Sequence, residues 1–387
     1  FGKVRASWAQ VGNVTVGAYD VNLTYSLKNS HLGYTLASYS SAGGNNGTIP
    51  NPGLKPLTST ELEIGADLRF FQDRLGLDFT WYDQESTDDI LRATISSASG
   101  FGNTTVNVGR ISNTGVEVLL YGTPVKKALT WDVSLNFARN NNLVEELIEG
   151  NDELSLEEPR TRTVRVKHIV GYPFGMLTGW VQKTTPDGTP VFEENGAPVR
   201  SDAYEIIGYG VPDFTGGVEN SFTFKNINLS FLIDFKSGGD IFSGTNVRLT
   251  QTGLTEISTI GREVNDPLAV SGAIQTGEDA NGEPIYAPFD KTLTPDEARN
   301  YWNQLANRAT DQFTYDASYV KLRQLTLGYS FPRSLLSNTP FVNLTVSFVG
   351  RNLWIISKNT PNIDPESSYT SSNSQGLDYF GQPSVRS

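Results

Sequence analysis

Apolar and polar residues alternate with period two through much of this chain, in short blocks set apart by polar stretches. The clearest block is ELEIGADLRFFQDRLGLDFTWY, residues 61–82. Leu62, Ile64, Ala66, Leu68 and Phe70 alternate with Glu61, Glu63, Gly65, Asp67 and Arg69. After Gln72-Asp73-Arg74 the alternation resumes, with Leu75, Leu77, Phe79 and Trp81 against Gly76, Asp78, Thr80 and Tyr82. Period two gives a strand one apolar and one polar face, and the short polar break predicts a hairpin. Residues 62–70 span roughly 27 Å at ~3.3 Å each. Tilted by about 40°, such a strand rises about 20 Å, close to the ~25 Å apolar band of an outer-membrane barrel.

The pattern recurs on both sides of this hairpin. Residues 1–10 read as a strand with Val4, Ala6 and Trp8 on one face, and a short hairpin is expected within 14–27, inside a long loop. A polar loop is expected over 86–113, then strands at 115–121 and 129–138. A first large excursion covers 140–210. It carries an acidic patch (Glu145, Glu146, Glu149, Asp152, Glu153), a basic run (Arg160, Arg162, Arg165, Lys167) and turns at Pro186-Asp187-Gly188 and Asn195-Gly196. Residues 213–224 and 227–235 form the next pair, across Lys225-Asn226. A second excursion runs over 237–313, with a helix opened by Thr294 as N-cap, Pro295 at its first position and Glu297 completing a capping box. Strands at 319–331 and 342–348 follow, and from Leu353 the chain is polar.

Connection lengths decide the architecture. Short ones, at 72–74, 123–128, 225–226 and 332–340, take turns with long ones. With strands running up and down, every short turn falls at one end and every long loop at the other. Outer-membrane barrels sort their connections this way, whereas a soluble sandwich has no reason to. The fold class predicted is all-β, an antiparallel transmembrane β-barrel with long extracellular loops.

Composition agrees and narrows little further. Of 387 residues 37% are hydrophobic, 37 are glycine, and aromatics make up 11%, which suits many strands and turns. No apolar run approaches the ~18 residues of a membrane helix, a test that β-strands do not face. A net charge of −12 argues against nucleic acid, which calls for a basic stripe. Cysteine is absent, which fixes no compartment. The chain opens on Phe1 and its only methionine is Met176, so it is expected to begin inside a longer protein, downstream of any signal peptide.

FGKVRASWAQVGN (1–13), NPGLKPLTSTELEIGADLRFF (51–71), ISNTGVEVLLYGTP (111–124), FVGRNLW (348–354) and DPES (364–367) stand in the order found in one family. In these residues the chain resembles the C-terminal barrel half of the SusC/RagA family of TonB-dependent outer-membrane transporters. The resemblance covers nearly the whole chain and thins over 140–210 and 237–313. It implies import of oligosaccharides, or of peptides in some branches, across the outer membrane of Bacteroidota-type bacteria. It also implies a SusD-like surface lipoprotein as lid, outer-membrane lipid around the wall, and energy from TonB. The plug, the TonB box and the early strands are expected outside residues 1–387. The roughly nine strands legible here are fewer than the ~22 of a large plugged transporter.

Chemistry of the chain's own is not expected. His31 and His168 are the only histidines and stand apart, carboxylates sit singly on polar strand faces, and no nucleophile elbow, phosphate loop or HExxH occurs. Hence no catalytic residue, metal or cofactor is predicted. Pro186–Gly188 and Asp279–Glu283 read as turns before they read as calcium sites. Aromatic residues in the long loops are the candidate substrate contacts: Tyr172, Trp180, Tyr204, Tyr209, Tyr301, Trp302, Tyr369, Tyr379 and Phe380. Such rings stack on sugar faces or peptide side chains, and equally pack loops against one another. Trp8, Trp81 and Trp131 lie on apolar strand faces and suit lipid or interface contact. On the residues alone two alternatives stay open: a soluble β-sandwich that binds glycans at a cell surface, and a passive porin.

Overall fold

The computed structural model describes residues 1–14, 16–17, 21–22, 24–29, 35–40, 48–99, 101–148, 150–157, 163–337, 339–368 and 375–381. Among them, nine long strands form one antiparallel sheet in chain order. They are β1 (Gly2–Asn13), β2 (Leu57–Phe70), β3 (Leu75–Thr94), β4 (Asn103–Lys126), β5 (Leu129–Glu146), β6 (Phe214–Phe224), β7 (Ile227–Ser237), β8 (Tyr319–Ser330) and β9 (Thr345–Lys358). The two-residue strand Thr48–Ile49 adds to β4 in parallel.

Register turns the alternation of each strand into a two-sided wall. Leu68, Leu77, Leu120, Leu135, Val218, Ile233, Leu322 and Trp354 stand side by side across eight strands. One residue along, Asp67, Asp78, Leu119, Asn136, Gly217, Asp234 and Lys321 make a mostly polar row on the other face. On that face Arg5 reaches Asp78 (2.9 Å), Thr80 (2.5 Å) and Glu63 (3.3 Å). The apolar face stays open: Ile64 is 44% exposed, Leu120 39% and Leu327 49%. A sandwich would bury those side chains under a second sheet; among the described residues no sheet covers them. Rings mark one border of the apolar band. Near the short turns Trp131 stacks on Phe222 (5.8 Å), Phe222 on Phe231 (6.2 Å), and Tyr329 meets Phe331 edge-on (5.1 Å). Trp8 and Trp81 lie on the same outward face farther up, as the apolar pattern predicts.

Tight turns close the sheet at one end. Phe71, Gln72 and Asp73 take positive φ (54°, 57°, 64°) between β2 and β3, and Lys225 (52°) does so between β6 and β7. At the other end β3 and β4, 20 and 24 residues long, run far beyond any ~25 Å band. The stretch predicted as a polar loop over 86–113 is therefore two paired strands joined over 95–102. Polar residues on both faces erase the alternation there, while Thr, Val and Ile keep the backbone extended. Likewise the hairpin expected within 14–27 forms later, between Thr24–Asn29 and Thr35–Ser40, and β9 continues to Lys358 rather than ending at Phe348.

The packed core sits at the long-loop end, not in the wall. Val144, Leu154, Leu156, Val164, Val166 and Leu177 from the first excursion and its strand stem join Phe242, Val247, Ala306 and Phe313 from the second. Leu377 and Tyr379 complete the cluster. Four strands (Glu153–Glu157, Val164–Ile169, Met176–Gly179, Glu205–Tyr209) make one small sheet, and Asp240–Ser243 pairs with both Thr314–Asp316 and Leu377–Asp378 in another. Helix α1 (Gly244–Gln251), capped by Ser243, and α2 (Pro295–Arg308) pack beside them. The long excursions are one folded unit carried by the wall.

Candidate functional site

Short-range chemistry first fixes the loops. Thr294 and Glu297 form the predicted capping box of α2. The Glu297 carboxylate also accepts from Lys291 (2.7 Å), and that bond, with the Thr294 N–H, holds its pKa at about 2. Asp187 accepts from Thr185 and Thr189, and Asp279 accepts from the N–H groups of Asn281 (2.7 Å) and Glu283 (2.9 Å). Both segments are side-chain-closed turns, as the sequence suggests.

The two excursions meet around Trp180. Thr310 donates through its N–H and its hydroxyl to the Trp180 carbonyl, both at 2.7 Å. The indole stacks on Tyr204 (4.3 Å between centroids), and the Arg200 guanidinium lies 4.1 Å from the same indole centroid. Two groups that close to one centroid occupy opposite faces. Arg165 covers Tyr204 in turn, at 5.4 Å, giving a ladder of cation, two rings and cation. Beside it opens a cavity of about 670 Å³, lined by Trp180, Arg200, Gln304, Asn307, Arg308 and Glu193 among others. Arg308 is held by Glu193 (2.5 Å) and the Pro198 carbonyl (2.9 Å). Ring, amide and guanidinium groups at one concave place suit a polar ligand with apolar faces.

The other predicted aromatics scatter. Tyr172 is 44% and Phe380 61% exposed. Trp302 lines a second cavity, of about 470 Å³, and its indole N–H donates to the Ile260 carbonyl (2.9 Å). Tyr301 packs against the small cluster of Phe192, Val270 and Leu293. Tyr379 lies in the main core, edge-on to Phe242. Tyr209 donates its hydroxyl to Asp213, and that bond, together with burial, pushes its pKa up to about 12. Tyr369 and His31 lie outside the described residues, with Glu149, Arg160 and Arg162. Among the described residues, Trp180 and Tyr204 are the candidate rings brought into contact with each other, apart from the sequence neighbours Tyr301 and Trp302.

Two features had no signal in the pattern of apolar positions. On the inner face of β8, Lys321 is 2% exposed and donates to Asp364 (2.6 Å) and Glu366 (2.5 Å). Arg323 binds Asp234 and Glu366, and Tyr319 donates to Glu366 (3.0 Å). Burial pushes the Glu366 carboxyl up, but hydrogen bonds from Arg323 and Lys321 carry it below its ordinary value. Asp364-Pro365-Glu366 thereby ties the last loop to the wall; only the order of family motifs points to it in sequence. The second is His168, fully buried against Phe174 (4.1 Å). Its Nδ1 accepts from the Gly175 N–H (3.4 Å), its Nε2 has no partner among the described residues, and burial lowers its pKa to about 4.

Known proteins resolve what such a wall and cap belong to. The family described as TonB dependent receptor-like, beta-barrel, matches residues 2–353. TonB-dependent receptor P3 of Formosa agariphila is 26% identical over 99% of this chain and 38% of its own length. TonB-dependent receptor SusC of Bacteroides thetaiotaomicron is 24% identical over 94% of this chain and 35% of its own. The solved RagAB peptide importer in its closed-closed state superposes with a TM-score of 0.70 at 19% identity, over 100% of this chain and 40% of that one. The chain thus spans less than two-fifths of the curated relatives it matches. The open apolar face is a lipid face, the polar face lines a lumen, and the chain belongs to the TonB-dependent receptor β-barrel family of the bacterial outer membrane.

Proposed function

We propose that this chain is the C-terminal part of the barrel of a SusC-like importer, which takes up oligosaccharides or peptides across the outer membrane. In this reading its wall and loops bind and pass substrate without chemistry of their own. TonB supplies energy through a plug carried elsewhere in the protein, and a SusD-like surface lipoprotein closes the loop end. The observation that carries the reading is the single packed cap of loops on a two-faced wall, with the Trp180–Tyr204 ladder and its cavity between the two excursions. A passive pore needs no such cap. Trp180, Tyr204 and Arg200 are the foremost contacts, with Tyr172, Trp302 and Phe380 as exposed or cavity-lining rings. Tyr209, Tyr301 and Tyr379 would act by holding the loops in shape.

The test is growth and uptake in the source bacterium. Deleting the gene should abolish growth on one oligosaccharide or peptide pool, and loss of TonB should reproduce the defect. Trp180→Ala with Tyr204→Ala should lower uptake with the protein still in the outer membrane. Uptake that persists without TonB would instead point to a porin, and the pool affected separates glycan from peptide.

A further inference from the structure

At the short-turn end, on the lipid face, one row of the wall lacks a side chain where its neighbours carry large ones. Leu75, Gly122 and Val133 stand side by side, and the register of β4 against β5 slips between Gly122 and Val125. The gap and the slip open a groove of about 440 Å³ lined by Phe71, Leu75, Leu120, Val133 and Leu135. It cannot be filled from within: a Cβ on Gly122 would stand 2.9 Å from the Arg74 carbonyl oxygen. At its base Arg74 donates through Nε and Nη2 to the Thr123 carbonyl (3.3 and 3.0 Å) and through Nη2 to that of Pro124 (2.9 Å). Its Nη1 has no partner among the described residues.

Charge says what belongs there. The short turns and the strand end beside them carry Arg74, Lys126, Lys127, Lys225 and Arg333 against one carboxylate, Asp73, in a chain whose net charge is −12. The other carboxylate near the slip, Asp132, accepts from the Thr123 hydroxyl (2.6 Å). This basic rim faces the periplasmic leaflet, because short turns are the periplasmic ones. Basic pockets at the membrane surface select anionic headgroups, and an apolar slot above them suits a hydrocarbon tail.

We propose that this groove is a binding site for one anionic phospholipid of the inner leaflet. One acyl chain lies between Phe71, Leu75 and Leu135, and the headgroup phosphate rests on Arg74 at the base of the groove, with Lys127 of the adjoining turn beside it. The site is independent of what the protein transports.

Full-length protein purified from outer membranes in mild detergent is the material for the test. Native mass spectrometry should show about one tightly held phosphatidylglycerol per chain. After delipidation, phosphatidylglycerol should bind at least about tenfold more tightly than phosphatidylcholine. Arg74→Gln with Lys127→Gln should erase that preference, while Leu135→Trp, which fills the slot from a lipid-facing position, should lose both lipids. Val133→Trp serves as a second filling variant if the first folds poorly, with heat-modifiable migration in gels as the check of folding. Equal binding of the two lipids by the wild type, retention undiminished in the filled variants, or lipopolysaccharide as the only retained lipid would each overturn the proposal.

Discussion

Tyrosine lies over glycine at two places on the lumen face of β3 and β4. A Cβ on Gly76 would stand 2.2 Å from the ring of Tyr121, and one on Gly115 would stand 2.4 Å from the ring of Tyr82. Each pair faces across β3 and β4, so the ring fills the space the glycine leaves and shields its backbone. Gly115 has a second close neighbour, the Arg139 carbonyl at 2.6 Å. Backbone cannot swing aside as a ring can. Gly115→Val should therefore cost about 1–3 kcal/mol of stability, read as a lower urea midpoint for refolding into vesicles; an unchanged midpoint would mean that the strands simply part. His168 gives a second test, in the loops. Folded, it titrates near 4; unfolded, near 6.5. Above pH 6.5 both states are neutral and the residue contributes nothing to pH dependence. As pH falls through 6.5 towards 4, the unfolded chain takes up a proton that the folded one refuses, so stability is lost over that window. At pH 5 the loss is about 2 kcal/mol. Protection factors across Val164–Ile169 and Met176–Gly179 should fall between pH 7 and pH 5 in the wild type, and far less in His168→Leu.

Among elements, the wall strands and the loops obey different solvents, and this separates what the sequence discloses from what it hides. Leu77 and Asp78 are neighbours on β3 facing lipid and lumen. Leu77→Arg should cost about 2–4 kcal/mol near the midplane, and Asp78→Arg much less in lipid, although it would lose the ion pair with Arg5 (2.9 Å). Equal costs in a vesicle refolding assay would refute the assigned faces. The same contrast makes the wall legible in the sequence. Lipid demands an apolar residue at every second position, so Leu62 to Trp81 announces its strands, its turn and its faces. Above the membrane no lipid presses on β3 and β4, and one side packs against the loop core through Ala93 and Val106. The demand lapses, and Ser86 to Asn113 reads as loop although most of it is strand. In the excursions, capping chemistry is local and legible, so Thr294-Pro295-Asp296-Glu297 reveals α2. Helix α1 carries only the Ser243 cap, without a box or an acidic first turn, and stays hidden. Ring exposure is decided by partners far away in sequence: Tyr379 is buried by Phe242 and Trp180 is covered by Tyr204 and Arg200. No local pattern distinguishes either from Phe380, which is left open.

For the whole molecule the question is how a cap with its own core is held on a wall without one. Part of the answer is continuity, since β5, β6, β7 and β8 run directly into the excursions. After β9, residues 359–368 are tied to the wall by the Lys321 cluster. Lys321 and Asp364 are 2% and 4% exposed in their side chains, so the pair is as dry as a core. Desolvation there cancels much of the Coulomb attraction, and the ion pair adds little net stability over an apolar pair of the same shape. What it adds is position: Asp364 and Glu366 reach Lys321, Arg323 and Tyr319 only with the loop seated on β8, where all three converge. Removing the cation alone should hence be far worse than removing the pair. Lys321→Met takes the buried cation away from the Asp364 carboxylate, at a cost of about 3–5 kcal/mol. The loop should lift, so hydrogen exchange and protease cleavage over 359–381 rise, while heat-modifiable migration shows the barrel intact. Lys321→Met with Asp364→Leu leaves no buried charge at that spot and should recover most of the protection. Equal exposure of the loop in the single and double variants would mean that something other than this charge pair seats it. Seating matters beyond stability, because Ser243, which caps α1, donates to Asp378 (2.9 Å), and Asp378 lies one residue from Tyr379 in the shared core. Through that bond the position of the last loop, set on the lumen face of β8, reaches the excursion that supplies Thr310 to Trp180.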